Sequence, residues 1–282
     1  MKSCNDKRIA VISMMRNDNF FVTKWIDYYG SQFGLKNLFL ILDGHDQPLP
    51  QGHESINVLS LPHIPLTRTK GDRNRSRLVS YLAKSLFHRY DIVIASDIDE
   101  FLVVDPKLNV TLAHYLKNHV RSSSVSALGL DVGQHVDIEN PIDPTKPFLE
   151  QRSFAHVSSR YTKPVVATKP IVWGSGFHRI KWRNFRIDPN LFLFHFGMVD
   201  FNLTKKKMGD DDLKKVGWEG HLGRRYQLFD LIYRNKPIDG DAFFGKARLR
   251  QSIFRPIYAL NKPGKLREKP IVRIPERFRF IL

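Results

Sequence analysis

One cysteine, Cys4, stands in 282 residues. Without a second thiol it cannot close an internal disulfide or join a cysteine knuckle for zinc, so a disulfide-stapled secreted fold and a zinc ribbon are both excluded. Cys4 reads as a chance free thiol. Long apolar runs are equally scarce: the longest, LFLIL at 38–42, falls far short of the roughly 20 residues that cross a bilayer. The first residues carry no apolar stretch of the signal-peptide kind, so the expectation is a soluble protein facing the cytoplasm. Internal repeats, heptads and low-complexity tracts are also missing, which sets aside solenoids and coiled coils.

Acids are in deficit. Asp and Glu number 28 against 45 Lys and Arg, a net charge of +17 that favours polyanionic partners: nucleic acid, an anionic membrane face, or phosphorylated and acidic substrates. The bias is strongest late in the chain, where KKK (205–207), GRR (223–225), KARLR (246–250) and RIPERFRF (273–280) are interleaved with aromatics. A hydrophobic content of 42% suits one large α/β domain, or a domain with an appended subdomain.

What is present is an alternation of strand and helix signals. RIAVIS (8–13) is a β-branched run, followed by Asn17 or Asp18 as an N-cap and by Phe21, Trp25, Tyr28 and Tyr29 at helical spacing. NLFLIL (37–42) and SINVLSL (55–61) read as strands separated by a loop rich in Pro and Gly. A helix is expected from about Asp72 to His88, then a strand at Ile92–Ala95. Further on, SVSALGL (124–130) and LFLFHF (191–196) read as strands, 165–180 as strand and loop, and 220–235 and 241–251 as helices. Such alternation predicts right-handed crossovers and a mostly parallel sheet, with ligands beyond the carboxyl ends of its strands. Three strands end in polar groups there: Arg16, Asn17 and Asp18 after the first, Asp43 and Asp46 after the second, and Asp97 and Asp99 after IVIA. Taken singly, each can be a helix cap or a turn residue.

The run IVIASDIDEFL (92–102) is the sharpest of these. A buried, unpaired carboxylate costs several kcal/mol, so Asp97, Asp99 and Glu100 must meet water, a cationic side chain or a metal. In an extended segment Asp97 and Asp99 would share one face, with Ile98 turned into the core. Two adjacent carboxylates repel unless a cation intervenes; hard oxygen ligands suit Mg²⁺ or Mn²⁺, while pairing with nearby arginines is the alternative.

RIAVISMMRNDNFFVTKWIDYYGSQFGLKNLFLILDGHD, followed by YDIVIASDIDEFLVV, resembles the GT-A glycosyltransferases, in particular their bacterial family-2-like group, over roughly residues 8–200. The chain departs from that group by reading LDGHD where relatives often read D-N-x-S-x-D. The resemblance implies a GT-A, Rossmann-like α/β fold, with residues 1–200 as the nucleotide-sugar-binding and catalytic domain and 201–282 as a basic, helical extension packed on it. It implies Asp97 and Asp99 as the motif binding metal and nucleotide sugar, with Mn²⁺ or Mg²⁺ neutralising the leaving diphosphate. Asp43 would contact the nucleoside, and the SMMRND loop, with Arg16 and Asn17, would wrap the base. His195 matches a late-strand histidine that acts as a further metal ligand, the alternative being a satisfied core histidine; His178 is a weaker candidate. An inverting transfer needs a general base, for which Asp131 and Glu219 are the candidates. Lys205 to Lys207 could screen the diphosphate.

The implied activity moves a sugar from a nucleotide-diphosphate donor to a glycan, a lipid-linked acceptor or an acidic polysaccharide, as in bacterial surface polysaccharide synthesis. The basic C-terminal third, including Arg248, Arg250 and Arg255, suggests peripheral docking on the anionic inner face of the cell membrane. The competing reading, a nucleic-acid-binding protein, accounts for the charge and the aromatics but leaves the ordered acids at three strand ends unexplained.

Overall fold

The computed structural model describes residues 7–180, 186–209, 215, 219–254 and 269–282. Cys4 and Arg255 lie outside them. Among the described residues the strands are β1 (Ile9–Met15), β2 (Leu38–Asp43), β3 (Asn57–Leu61), β4 (Ile92–Ala95), β5 (Glu100–Val104), β6 (Ser124–Gly133), β7 (Phe154–Val157), β8 (Val166–Ala167), β9 (Ile187–Met198), β10 (Ile238–Asp239) and β11 (Ile271–Arg273). The helices are α1 (Asn19–Phe33), α2 (Arg68–Leu86), α3 (Leu112–His119), α4 (Phe148–Gln151), α5 (Phe201–Met208), α6 (Glu219–Arg234) and α7 (Gly240–Phe254).

One mixed sheet organises the molecule, in the order β10-β11-β7-β6-β8-β4-β1-β2-β3, with β9 joining β6 to β5. The pairs β3–β2, β2–β1 and β1–β4 are parallel. Beyond β4 the sheet departs from the parallel expectation: β8 is antiparallel to both β4 and β6, β7 to β6, and β5 to β9, although β6 and β9 run parallel. Connections set the pattern: α1, α2 and α7 carry the chain across to the parallel pairs β1–β2, β1–β4 and β10–β11, whereas β4 passes to β5 through a tight turn. Residues 201–282 supply strands as well as helices, since β11 pairs antiparallel with β7.

The strand order places a switch point at β1: the chain leaves β1 toward β2 and β3, then returns through α2 to β4 on the other side. Loops after β1 and β4 leave the sheet there at its carboxyl edge, the side on which open α/β sheets bind ligands. The apolar face of α1 closes one side of the sheet. Trp25 and Tyr29 are wholly buried, and the Tyr29 ring stacks on Phe101 of β5 with centroids 6.1 Å apart. Each such aromatic contributes roughly 1.5–3 kcal/mol by leaving water. The Tyr29 hydroxyl also accepts from the Leu102 N–H at 2.8 Å, which ties α1 to the strand that follows the acids.

Part of the positive charge lies inside the fold. Arg152 is fully buried, donating to the Val199 and Gln151 carbonyls beside Asp200. Arg277 forks between Asp105 and Asp241. Arg248, expected on a membrane-facing surface, instead lies over the Phe192 ring at 4.5 Å and donates to the Asp188 carbonyl. Its aliphatic stem and flat guanidinium cover the apolar strand β9, so it does not belong to an exposed basic patch. Among the described residues no helix is long and apolar enough to cross a membrane.

Candidate active site

The acids after β4 do not lie on one extended face. Ile98 and Asp99 form a turn closed by the Glu100 N–H donating to the Asp97 carbonyl at 3.1 Å. The chain must reverse from β4 into β5, so it turns where the sequence suggested a continuous strand. Ile98 still points into the core, but the three carboxylates go to three different sets of partners.

Glu100, the first residue of β5, is wholly buried and meets the Lys163 ammonium at 2.5 Å. Asp97 takes Lys163 on one oxygen at 2.9 Å and Arg75 of α2 on the other at 3.1 Å. Burial works to raise the Asp97 carboxyl, yet Arg75 and Lys163 hold it below its ordinary value. Burial dominates at Glu100 and pushes it up to about 7 against the pull of Lys163. Lys163 keeps its proton because Asp97 and Glu100 outweigh its own desolvation.

Asp99 turns the other way, toward β9. Its Oδ2 lies 3.2 Å from His195 Nε2, while His195 Nδ1 donates to Asp131 Oδ1 at 2.6 Å. The strand registers set this arrangement: His195 sits directly opposite Glu100 on one side and Asp131 on the other. Tyr161 stacks on the imidazole with centroids 3.9 Å apart and fixes the ring plane. Burial and Arg225 work against the charged ring, but Asp99 and Asp131 prevail and raise its pKa. Burial likewise opposes ionisation of Asp99 and Asp131, and in both the adjacent His195 wins, holding them below the usual carboxylate range.

Glycine at 129 makes the stacking possible. A Cβ there would strike the Tyr161–Thr162 peptide itself, which cannot move aside as a flexible side chain could. Gly129→Ala is expected to lower stability by about 1–3 kcal/mol or more through overpacking and to displace Tyr161 from His195. Thermal unfolding and the histidine ring resonances in NMR check both effects; an unshifted His195 signal would show that Tyr161 does not position the ring.

The loops after β1 and β2 are stitched together beside this cluster. Arg16 donates to both oxygens of Asp46 at 2.9 Å and to the Asp43 carbonyl at 2.7 Å, while the Asn17 N–H donates to Gln47 Oε1 at 2.8 Å. Asp43 pairs with His63 at 3.1 Å. Gly44, at φ +124°, lies where a Cβ would collide with Arg16 and Asp46, so only glycine lets the loops approach this closely. Asp18 occupies the N-cap position of α1 without a capping bond from its side chain, which pairs with Lys207 of α5 at 3.1 Å.

The structure therefore brings Asp99, His195 and Asp131 together, and holds Asp97 beside them on its own cations. Arg16, Asn17 and Asp43 form a separate cluster of loop contacts. His178 is bonded to the Arg160 carbonyl at 2.8 Å. Glu219 opens α6, but its side chain lies outside the described residues. Arg75, Tyr161, Lys163 and Arg225 are partners that no motif in the sequence marks. Among the described residues no three His, Cys, Asp or Glu side chains are grouped to hold a metal ion. The donors nonetheless suit a divalent ion in part: a carboxylate oxygen and an imidazole nitrogen converge, and Asp131 secures the far side of the ring as outer carboxylates do for metal-binding histidines. Lys163 and Arg75 occupy both oxygens of Asp97.

No family model matches the chain, and no curated protein matches it. The geometry and the sequence pattern carry the functional reading.

Proposed function

We propose that this chain is a metal-dependent, inverting glycosyltransferase of the GT-A type. It takes a sugar from a nucleotide-diphosphate donor and passes it to a hydroxyl of a glycan, a lipid-linked acceptor or an acidic polysaccharide, in bacterial surface polysaccharide synthesis. The observation that supports this reading is the meeting of Asp99 and His195 at 3.2 Å, with Asp131 behind the ring, in the turn after β4, the strand that neighbours β1. A core histidine needs one partner. This one has a carboxylate on each nitrogen, beyond the carboxyl end of a strand, where α/β sheets commonly bind ligands.

Asp99 and His195 would hold Mn²⁺ or Mg²⁺, which when bound would neutralise the donor diphosphate. Asp131 fixes the ring orientation, and Tyr161 and the sheet keep it from rotating. Asp97 shapes the turn through Lys163 and Arg75, so that Asp99 faces His195. Nε2 of His195, 3.2 Å from Asp99, would be the nitrogen offered to the metal, with Nδ1 kept on Asp131.

Thermal unfolding tests the reading. Nucleoside diphosphate with Mn²⁺ should raise the melting temperature more than either alone, by linkage of binding to folding. Stabilisation by an oligonucleotide, lost steeply with salt, would point instead to nucleic-acid binding. His195→Ala is expected to weaken Mn²⁺ affinity by at least about 100-fold, since loss of groups around metal sites alone costs about 10- to 100-fold. Calorimetry with Mn²⁺ measures it, and an unchanged affinity would make His195 a core residue.

A further inference from the structure

Two cations lie beside the cluster, and one of them, Arg225, has among the described residues only a long contact to a carboxylate. Arg225, from α6, has a side chain only 14% exposed, yet its one ion-pair partner among the described residues is Asp131, at 3.6 Å. Its Nη2 instead lies 3.1 Å and 3.2 Å from the two ring nitrogens of His195, and its Nε has no hydrogen-bond partner among the described residues. A guanidinium offers five donors in a planar fork, and this one lies against the edge of an imidazole with no bidentate carboxylate opposite it among the described residues. The backbone is nevertheless built to admit it: a Cβ on Gly197 would strike both terminal nitrogens of Arg225 and the ring of His195.

Lys207, from α5, lies within electrostatic reach of Asp99 as well. It pairs with Asp18 at 3.1 Å and sits over the Phe21 ring at 5.4 Å, with 43% of its side chain exposed. Asp99 feels both Arg225 and Lys207, and Asp18 feels both Asp99 and Lys207, so the two acids and the two cations act on one another electrostatically. α5 and α6 are packed together, because Phe201 lies on Tyr226 and Phe229 across them.

We propose that Arg225 and Lys207 are the diphosphate-binding pair of the donor site, each carried by the C-terminal helices and each held on a carboxylate until the anion arrives. The inference rests on the donor reading above and assigns its phosphate contacts. Arg225 supplies a fork for two phosphate oxygens, and Lys207 a mobile point charge. Binding of the diphosphate exchanges the weak contact to Asp131 and the pair with Asp18 for charge-assisted bonds to phosphate. Residues 201–282 are then half of the site, not an attachment to it.

Calorimetry with inorganic pyrophosphate, and separately with uridine and guanosine diphosphates plus Mn²⁺, tests this on the full chain. Arg225→Lys and Lys207→Ala should each weaken pyrophosphate binding about 10- to 100-fold, the scale of one or two charged hydrogen bonds, without changing the melting temperature by more than a few degrees. Lys207→Ala removes a partly exposed side chain and so keeps the test open if Arg225→Lys folds poorly. Wild-type affinity in both variants overturns the assignment while leaving the donor reading intact. Pyrophosphate binding that depends on Arg225, with no nucleoside diphosphate bound, keeps the anion site and removes the nucleotide reading. No binding of either probe by the folded wild type removes both.

Discussion

Asp99→Asn is expected to abolish Mn²⁺-dependent binding of nucleoside diphosphate while leaving the fold in place. The substitution keeps the side chain's shape and its position 3.2 Å from His195 but removes the charge that a hard cation needs. Loss of groups around a metal site alone weakens binding about 10- to 100-fold, so loss of a ligand should exceed roughly 100-fold and leave no measurable heat of binding. The fold survives for a local reason. Asp99 lies in a turn held by backbone contacts, its carbonyl accepting from the Phe196 N–H at 2.9 Å, and its side chain is not part of the apolar core. Removing an anion beside His195, Arg225 and Lys207 costs about 1–3 kcal/mol, visible as a modest fall in melting temperature. Calorimetry and circular dichroism on one preparation read both quantities. Retained Mn²⁺-dependent binding would exclude Asp99 as a ligand, whatever the role of its neighbours.

The sequence makes some of this site visible and hides the rest for a physical reason. His195 and Asp131 stand out because each interrupts an apolar strand, LFLFHF or SALGLD, and a polar side chain on a buried strand needs a partner. That the two are partners depends on β6 pairing with β9 in a register 64 residues apart in sequence, which no local pattern records. Lys163 is hidden in the same way. It lies in an unremarkable loop, SSRYTKPVV, and its meaning comes from Asp97, 66 residues earlier, and from Glu100. Glu100 reads as one of three adjacent acids, yet it belongs to β5 and to the core. The strands of the first half are legible because helices separate them. β7, β10 and β11 are short, and they gain their strand character from sheet neighbours more than from their own composition. The basic C-terminal third misleads in its simplest form, because Arg248 and Arg277 neutralise or cover internal groups and Arg225 enters the site.

Lys163→Met is expected to be the most destabilising substitution at the site, and its cost should depend on pH. Lys163 is buried with its ammonium 2.5 Å from Glu100 and 2.9 Å from Asp97. Methionine fills similar space, so the loss is electrostatic: Arg75 remains for Asp97, but Glu100 is left as an unpaired charge in the core. Breaking one side of a buried ion pair costs about 3–5 kcal/mol. The sign of the pH effect follows from Glu100. Burial has already pushed its pKa from 4.5 up to about 7, with Lys163 the leading force in the other direction. A carboxyl raised in this way binds more protons folded than unfolded between those two values, so its contribution to stability falls as pH rises through that window. Without Lys163 the folded pKa climbs further and the window extends to higher pH, which costs about 1.4 kcal/mol for every tenfold fall in the acidity at which Glu100 ionises. Asp97 is the opposite case. Its depressed pKa contributes stability present above the unfolded value and lost as pH falls through the folded value, and the variant forfeits part of that contribution. Urea unfolding at about pH 5.5 and about pH 8.5 should therefore show a deficit relative to wild type that is larger at the higher pH. A second change, Glu100→Gln, in the same chain should recover part of it by removing the stranded charge. An equal deficit at both pH values, with no recovery from Glu100→Gln, would mean that Lys163 serves the fold through its aliphatic stem, and that the acids after β4 are kept in place by the turn alone.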